Sequence, residues 1–222
     1  QAFARLADVI IRALHRVIEE EFVKSYGRVA GQQTAILAFG KLGSFEMTAA
    51  SDLDLILIYD FDESQPESSG PRSLYGAQYF ARLTQRLISA LSAPTNYGSL
   101  YSVDMRLRPS GRSGPVATQI GAFRDYQQNE AWTWEHMALT RARVVSATGE
   151  FGAQVEDAIR EVLSRPRDAA TIGGDALEMR QAIASVAATS PDVGVLAVVA
   201  TPSTPLPPPG ATHRPENGRQ DP

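Results

Sequence analysis

The chain has 222 residues, a formal charge of −4 and no cysteine. That length supports one large or two small domains with a real core. The acidic balance argues against a nucleic-acid-coating surface, and the lack of cysteine excludes disulfides, thiolate metal sites and cysteine nucleophiles.

Residues 2–26 read as an amphipathic helix. Phe3, Leu6, Ile10, Leu14 and Val17 recur at three- and four-residue spacing, with charges between them. The charges and the lack of a cleavage pattern exclude a signal peptide, and no apolar run is long enough to span a bilayer. A cytoplasmic protein without a membrane partner is expected. The first residue is Gln, so a piece of something longer is also expected.

"TAILAFG" (34–40) reads as a short buried strand ending at glycine, and "KLGSFEMTAAS" as a loop. "DLDLILIYDF" (52–61) reads as a second strand, and "DESQPESSGPRS" as an exposed loop. Residues 73–92 form a helix with Leu74, Ala77, Phe80, Leu83, Leu87 and Leu91 facing inward. "LYSVDMRLRPSGRSGP" (100–115) reads as a third strand running into a Gly/Pro loop. A nearly unbroken helical region follows over 119–164, punctuated near Asn129 and Gly149, with a last helix from about Asp175 to Ala187. Residues 188–222 are rich in proline, and no aromatic residue follows Phe151. Such a composition cannot bury enough surface to offset ordering entropy, so a disordered tail is expected. The division is therefore 1–116, 117–187 and 188–222.

Two aspartates in an apolar run demand an explanation. Alternate strand residues share a face, about 6.5–7 Å apart, so Asp52 and Asp54 present both carboxylates to one side while Leu53, Leu55 and Leu57 face the other. Asp104, between Val103 and Met105, is a third acid in a strand context. Three bare carboxylates repel, and a divalent cation relieves that repulsion. Mg²⁺ prefers carboxylate and phosphate oxygens, and two such ions stabilise attacking and leaving oxygens in phosphoryl chemistry. The bland alternative is a row of solvated strand-edge acids. Gly40 and Gly43 flank Lys41 just upstream, where a glycine turn lets backbone N–H groups approach phosphate.

Arg106 and Arg108 alternate with Met105 and Leu107, on the face of Asp104 if the strand continues. They are candidates for triphosphate binding or for bracing the acids. Arg112 lies in the following glycine loop. Trp132, Trp134 and His136 read as helical core residues around apolar neighbours. Glu135, Arg141 and Arg143 either pair on a helix surface or orient the site. With three scattered histidines and no cysteine, zinc is not expected.

The glycine turn, the Asp-x-Asp strand and the later single-Asp strand together resemble the polymerase-beta-like nucleotidyltransferases. "GKLGSFEMTAASDLDLI", "VDMRLRPSGRSGP" and "NEAWTWEHMALTRARVV" resemble the glutamine synthetase adenylyltransferase family over roughly residues 1–185. That resemblance implies an α/β (α+β) fold, a small mixed sheet with packed helices followed by a helical region. It implies Mg²⁺-dependent transfer of AMP from ATP to a tyrosine of glutamine synthetase. Asp52, Asp54 and Asp104 would hold metal, and Asp104 would help activate the tyrosine hydroxyl. Gly40, Lys41, Gly43, Ser44, Ser51, Arg106 and Arg108 would hold nucleotide. Family members carry two such domains, and "NEAWTWEH" resembles the AMP-attaching, carboxy-terminal copy. A PII-type signalling protein is the family's regulator, acting through regions absent here.

Two departures stand out. The family pattern has Gly-Gly where this chain has Gly43-Ser44. A "GGLVDIEF"-like stretch normally follows "LEMRQAI", which here leads into the proline-rich tail. The rival readings are AMP removal by phosphorolysis releasing ADP, a truncated remnant that binds nucleotide without turnover, and a small-molecule nucleotidyltransferase of the antibiotic-modifying kind. The long matched blocks disfavour the last.

Overall fold

The computed structural model describes residues 1–96 and 98–189. Helix α1 (Ala2–Tyr26) leads into strand β1 (Gln33–Ala38), the short helical turn α2 (Gly40–Gly43) and strand β2 (Leu53–Asp60). Helix α3 (Gly76–Leu91) and a small hairpin, β3 (Pro94–Thr95) and β4 (Gly98–Ser99), precede β5 (Val103–Asp104). A single 3₁₀ turn, Gly111–Ser113, leads to β6 (Ala117–Gln119), α4 (Ile120–Asn129), α5 (Thr133–Leu139), β7 (Arg143–Ala147), α6 (Phe151–Leu163) and α7 (Ala169–Thr189).

The main sheet runs β5–β2–β1–β7, with β6 also pairing β2. β1 is antiparallel to β2 and to β7. β5 and β6 both run parallel to β2, β5 beside Leu53–Asp54 and β6 beside Leu57–Tyr59. This mixed sheet with packed helices is the α/β architecture expected of a nucleotidyltransferase.

Strands β1 and β2 are apolar at nearly every position because helices cover both faces of the sheet. Ile36, Leu53, Leu55 and Leu57 join Ile11, Phe22, Tyr79, Phe80 and Leu83 in one core, against α1 and α3. Ala35, Leu37, Ile56 and Ile58 join Phe123, Phe151, Val155 and Ile159 in the other, against α4 and α6. Each large aliphatic or aromatic side chain so buried contributes roughly 1.5–3 kcal/mol.

Several expectations change. In α1 the apolar spacing is only partly on the inner face: Ile10 and Leu14 pack against the core, but Phe3 and Leu6 are 50% and 52% exposed, and Val17 is also exposed. The buried set is Ala4, Ala7, Asp8, Ile11, His15, Ile18 and Phe22. Small alanines let the helix lie close to its neighbours. The two polar members have partners: Asp8 pairs with Arg143, and His15 hydrogen-bonds Thr34 and Ser146. In α3, Ala77 is exposed, while Tyr79 and Thr84 turn inward. The "DESQPESSGPRS" loop is not wholly solvated: Ser68 is buried and accepts the Leu74 N–H.

The helical region over 119–164 is interrupted by β7, which pairs with β1. The β-branched pair Val144-Val145 suits a strand, and β1 leaves an edge for it to join. The third strand is only two residues long. Trp132 and Trp134 are half-buried, outside both cores.

Tertiary contacts divide the chain into Gln1–Leu177 and Glu178–Pro222. The described part of the second unit is helical. The expected disordered tail lies, from residue 190 onward, outside the described residues. Among the described residues no helix is long and apolar enough to cross a membrane.

Candidate active site

β1 ends at Ala38 and delivers the chain into the glycine turn. Phe39 N–H donates to the Asp54 carbonyl at 2.9 Å, tying the turn to the start of β2. Gly40 has φ +53°, and a Cβ there would overlap the Asp54 carboxylate. Glycine is required both by the left-handed backbone and by this close approach. Gly43 lies against the Arg141 carbonyl, with no room for a side chain. Lys41 is exposed on the turn. Ser44 Oγ lies 2.9 Å from the Gly40 carbonyl and 2.8 Å from Glu46 Oε2, so its single hydroxyl proton is shared between two acceptors and braces the turn. Ser51 is buried, and its Oγ accepts the Thr48 N–H at 2.9 Å, shaping the loop that enters β2.

Asp54 lies on β2 directly beside Asp104 of β5 in parallel register. Both side chains are partly buried. Burial, then the charges of Asp104 and Asp52, push the Asp54 carboxyl up to about 6, although Arg106 and Lys41 pull the other way. Asp104 moves in the opposite direction. Burial alone would raise it, but hydrogen bonds from Arg106 hold it below the usual carboxylate range. Like charges side by side and a cation on one of them separate the two pKa values.

Asp52 lies one residue before β2 and is exposed. Its Oδ1 accepts the Ser102 hydroxyl, and Leu53 N–H donates to the Ser102 carbonyl at 2.9 Å. Ser102 was not marked by any sequence pattern; only strand pairing brings it here.

Strand alternation does not carry Arg106 and Arg108 to this site, because the chain turns after Asp104. Asp104 Oδ1 accepts the Arg106 N–H at 2.9 Å, closing that turn. Arg106 then grips the same carboxylate through Nε, at 2.9 and 2.7 Å, and through Nη2. Arg108 folds back on its own loop. It donates to the carbonyls of Met105 at 2.8 Å and of Gly114 and Arg112 at 3.3 Å. The structure therefore gathers Gly40, Asp54, Asp104 and Arg106, with Asp52 at the rim, and places Ser51 and Arg108 in the supporting loops.

The other polar residues singled out in the sequence have partners away from the acids. Glu135 is buried, accepting Tyr126 Oη at 2.9 Å and Trp132 N–H at 2.9 Å, and burial raises its pKa. His136 Nε2 donates to the Gln127 carbonyl at 2.9 Å. Arg141 pairs with Glu46 at 2.6 Å on the surface. Arg143 stands on a strand rather than a helix.

The donor set is all oxygen and suits a hard divalent cation. A cation here would offset both causes that raise the Asp54 pKa, first its burial and then the neighbouring charges of Asp104 and Asp52. Among the described residues no three acidic or imidazole groups converge to cage an ion by themselves. That is compatible with Mg²⁺, which takes one or two carboxylates and completes its shell with phosphate oxygens and water.

Comparison with known proteins bears on this arrangement. The family model for glutamate-ammonia ligase adenylyltransferase matches residues 1–158. The bifunctional glutamine synthetase adenylyltransferase/adenylyl-removing enzyme of Rhodopseudomonas palustris strain TIE-1 is 67% identical over 183 residues, 82% of this chain and 18% of that protein. Those of Bradyrhizobium diazoefficiens and Xanthobacter autotrophicus are each 62% identical, over 183 and 186 residues, covering 18% and 19% of their length. The chain thus spans about a fifth of the length of the curated relatives it matches.

Proposed function

Because the chain belongs to the glutamate-ammonia ligase adenylyltransferase family, we propose that it transfers AMP from ATP to a tyrosine of glutamine synthetase. The observation that carries this reading is the Asp54–Asp104 pair, held in register beneath a glycine turn whose backbone contacts Asp54.

In this reading the turn from Gly40 to Ser44 receives the phosphates, with Lys41 adding charge from its exposed position. Asp54 and Asp104, with Asp52 at the rim, would hold Mg²⁺. When bound, that ion supplies charge neutralisation to the phosphates and polarises the reacting phosphorus. Asp104 is a carboxylate that Arg106 holds below the usual range, and it would accept a hydrogen bond from the incoming phenol. The tyrosine oxygen bonds to the α-phosphorus, the bond to the β-phosphate bridging oxygen breaks, and pyrophosphate leaves. The phenolic proton passes to Asp104 or to water. Positioning and charge neutralisation do most of the work in such transfers. In this reading Arg106, which grips Asp104, would exchange that carboxylate for a phosphate oxygen. Regulation by a PII-type protein and a cytoplasmic location follow from the same reading.

A second reading is favoured by the relatives' printed name, which includes adenylyl removal. The same acids would then serve phosphate as nucleophile and release ADP. Two incubations separate the readings. In one, ATP, Mg²⁺ and unmodified glutamine synthetase should yield AMP-tyrosine and pyrophosphate. In the other, adenylylated glutamine synthetase and phosphate should yield no ADP. Product only in the second reverses the assignment, and product in neither overturns both.

A further inference from the structure

Among the described residues, Arg143 is the most heavily committed arginine outside the acid cluster. The β1–β7 register sets it opposite Ala38, where β1 is about to become the glycine turn. Its Nε donates to the Gly43 carbonyl at 3.1 Å, and its Nη2 to the Leu42 carbonyl at 3.1 Å. These are end carbonyls of the α2 turn, groups that a helix leaves without intrahelical donors. Nη2 also meets Asp8 Oδ1 at 2.6 Å, and both partners are largely buried. The guanidinium carbon lies 4.0 Å from the centroid of the Phe45 ring. Phe45 itself has φ +60°, an unfavourable backbone for a non-glycine residue. One planar side chain thus joins α1, the end of α2, the strained exit of the turn and β7.

We propose that Arg143 is a positioning residue that holds the glycine turn at the distance from Asp54 needed to receive nucleotide, a proposal that rests on the adenylyl-transfer reading. Arg143 does not touch the acids; it acts through the backbone of Leu42 and Gly43. Gly40, at the other end of the same turn, is packed against the Asp54 carboxylate, so a shift of α2 moves the phosphate-facing backbone relative to the acids. The fork geometry matters. Lysine could keep a charge beside Asp8, but it cannot donate along two fixed directions to two carbonyls while lying flat on a ring.

The test uses the 222-residue chain and three variants: Arg143→Lys, Arg143→Met, and Arg143→Met with Asp8→Asn. The double variant removes the buried carboxylate that Arg143→Met would strand, so a folded protein without the clamp is available. Melting, amide exchange over residues 39–47, and calorimetric binding of a non-hydrolysable ATP analogue with Mg²⁺ are measured. Arg143→Lys should melt close to the parent yet bind the analogue at least ten-fold more weakly. The double variant should show faster exchange in the turn while β1 and β2 stay protected. A folded double variant with parental exchange and parental affinity overturns the proposal. So does Arg143→Lys if it recovers affinity together with stability, since that is the pattern of a merely structural ion pair. A parent chain that binds no analogue overturns the adenylyl-transfer reading itself, and Arg143's role in binding with it.

Discussion

Gly40→Ala isolates the contact on which the site is built. The substitution adds one methyl group. That methyl would stand 3.2 Å from Asp54 Cγ, closer still to Oδ2, and on a backbone with φ +53°. The left-handed backbone costs an L-residue roughly 1–2 kcal/mol. Turning the Asp54 carboxylate off its rotamer to make room adds about 0.5–1.5 kcal/mol. The sum is about 1.5–3.5 kcal/mol. At about 2–4 °C per kcal/mol for a chain of this size, the melting temperature should fall by roughly 3–14 °C. Gly121→Ala is the control: nothing lies within 4 Å of a Cβ there, and it lies in the first turn of α4. It should be neutral or stabilise slightly. Urea unfolding and thermal melts give the stabilities, and titration with an ATP analogue and Mg²⁺ gives the binding loss, which should be large for Gly40→Ala and negligible for Gly121→Ala. If Gly40→Ala melts with the control and binds as the parent does, the turn is not packed on Asp54 and the reasoning fails.

Asp54→Asn should abolish AMP transfer while, in chelator at neutral pH, leaving the fold as stable as the parent or more so, because it removes a carboxylate that burial and two neighbouring acids disfavour; lost stability together with retained transfer would contradict this. His15 provides a pH prediction. Its Nε2–H donates to Thr34 Oγ1 at 3.0 Å, since that hydroxyl is itself donated to Glu19, and Nδ1 accepts from Ser146 Oγ at 2.8 Å. Burial lowers its pKa against the pull of Glu19. The unfolded chain therefore takes up a proton near pH 6.5 that the folded chain refuses, and stability is lost as pH falls below that value. His15→Gln should flatten this limb in urea titrations between pH 7 and 5, though not erase it, because burial lowers His136 as well. Phe151→Ala, at a fully buried ring in the α4–α6 core, should cost about 3–5 kcal/mol by chemical denaturation. A cost near zero would place α6 elsewhere.

What the sequence by itself determined was local and chemical. Two apolar runs too continuous for a half-exposed sheet identified β1 and β2, and glycines at 40 and 43 marked the turn after β1. Aspartates at 52, 54 and 104 stood out because acids are costly in such runs. The matched blocks, in turn, named the family. Tertiary structure decided which elements meet. Asp104 reaches Asp54 through parallel pairing fifty residues away, a long-range choice that no local pattern encodes. β5 stops after two residues because Asp104 captures the Arg106 N–H, so the alternation that seemed to align Arg108 with the acids ends there. β7 was hidden because a short strand gains its stability from the neighbour it pairs with, and β1 offered that edge from a hundred residues upstream. The inner face of α1 was set by close approach at Ala4 and Ala7 and by partners waiting for Asp8 and His15. Side-chain size, the signal in the sequence, carries no information about those partners. Hydrophobic periodicity reports that a helix has an apolar side; packing and hydrogen-bond satisfaction choose which side is buried.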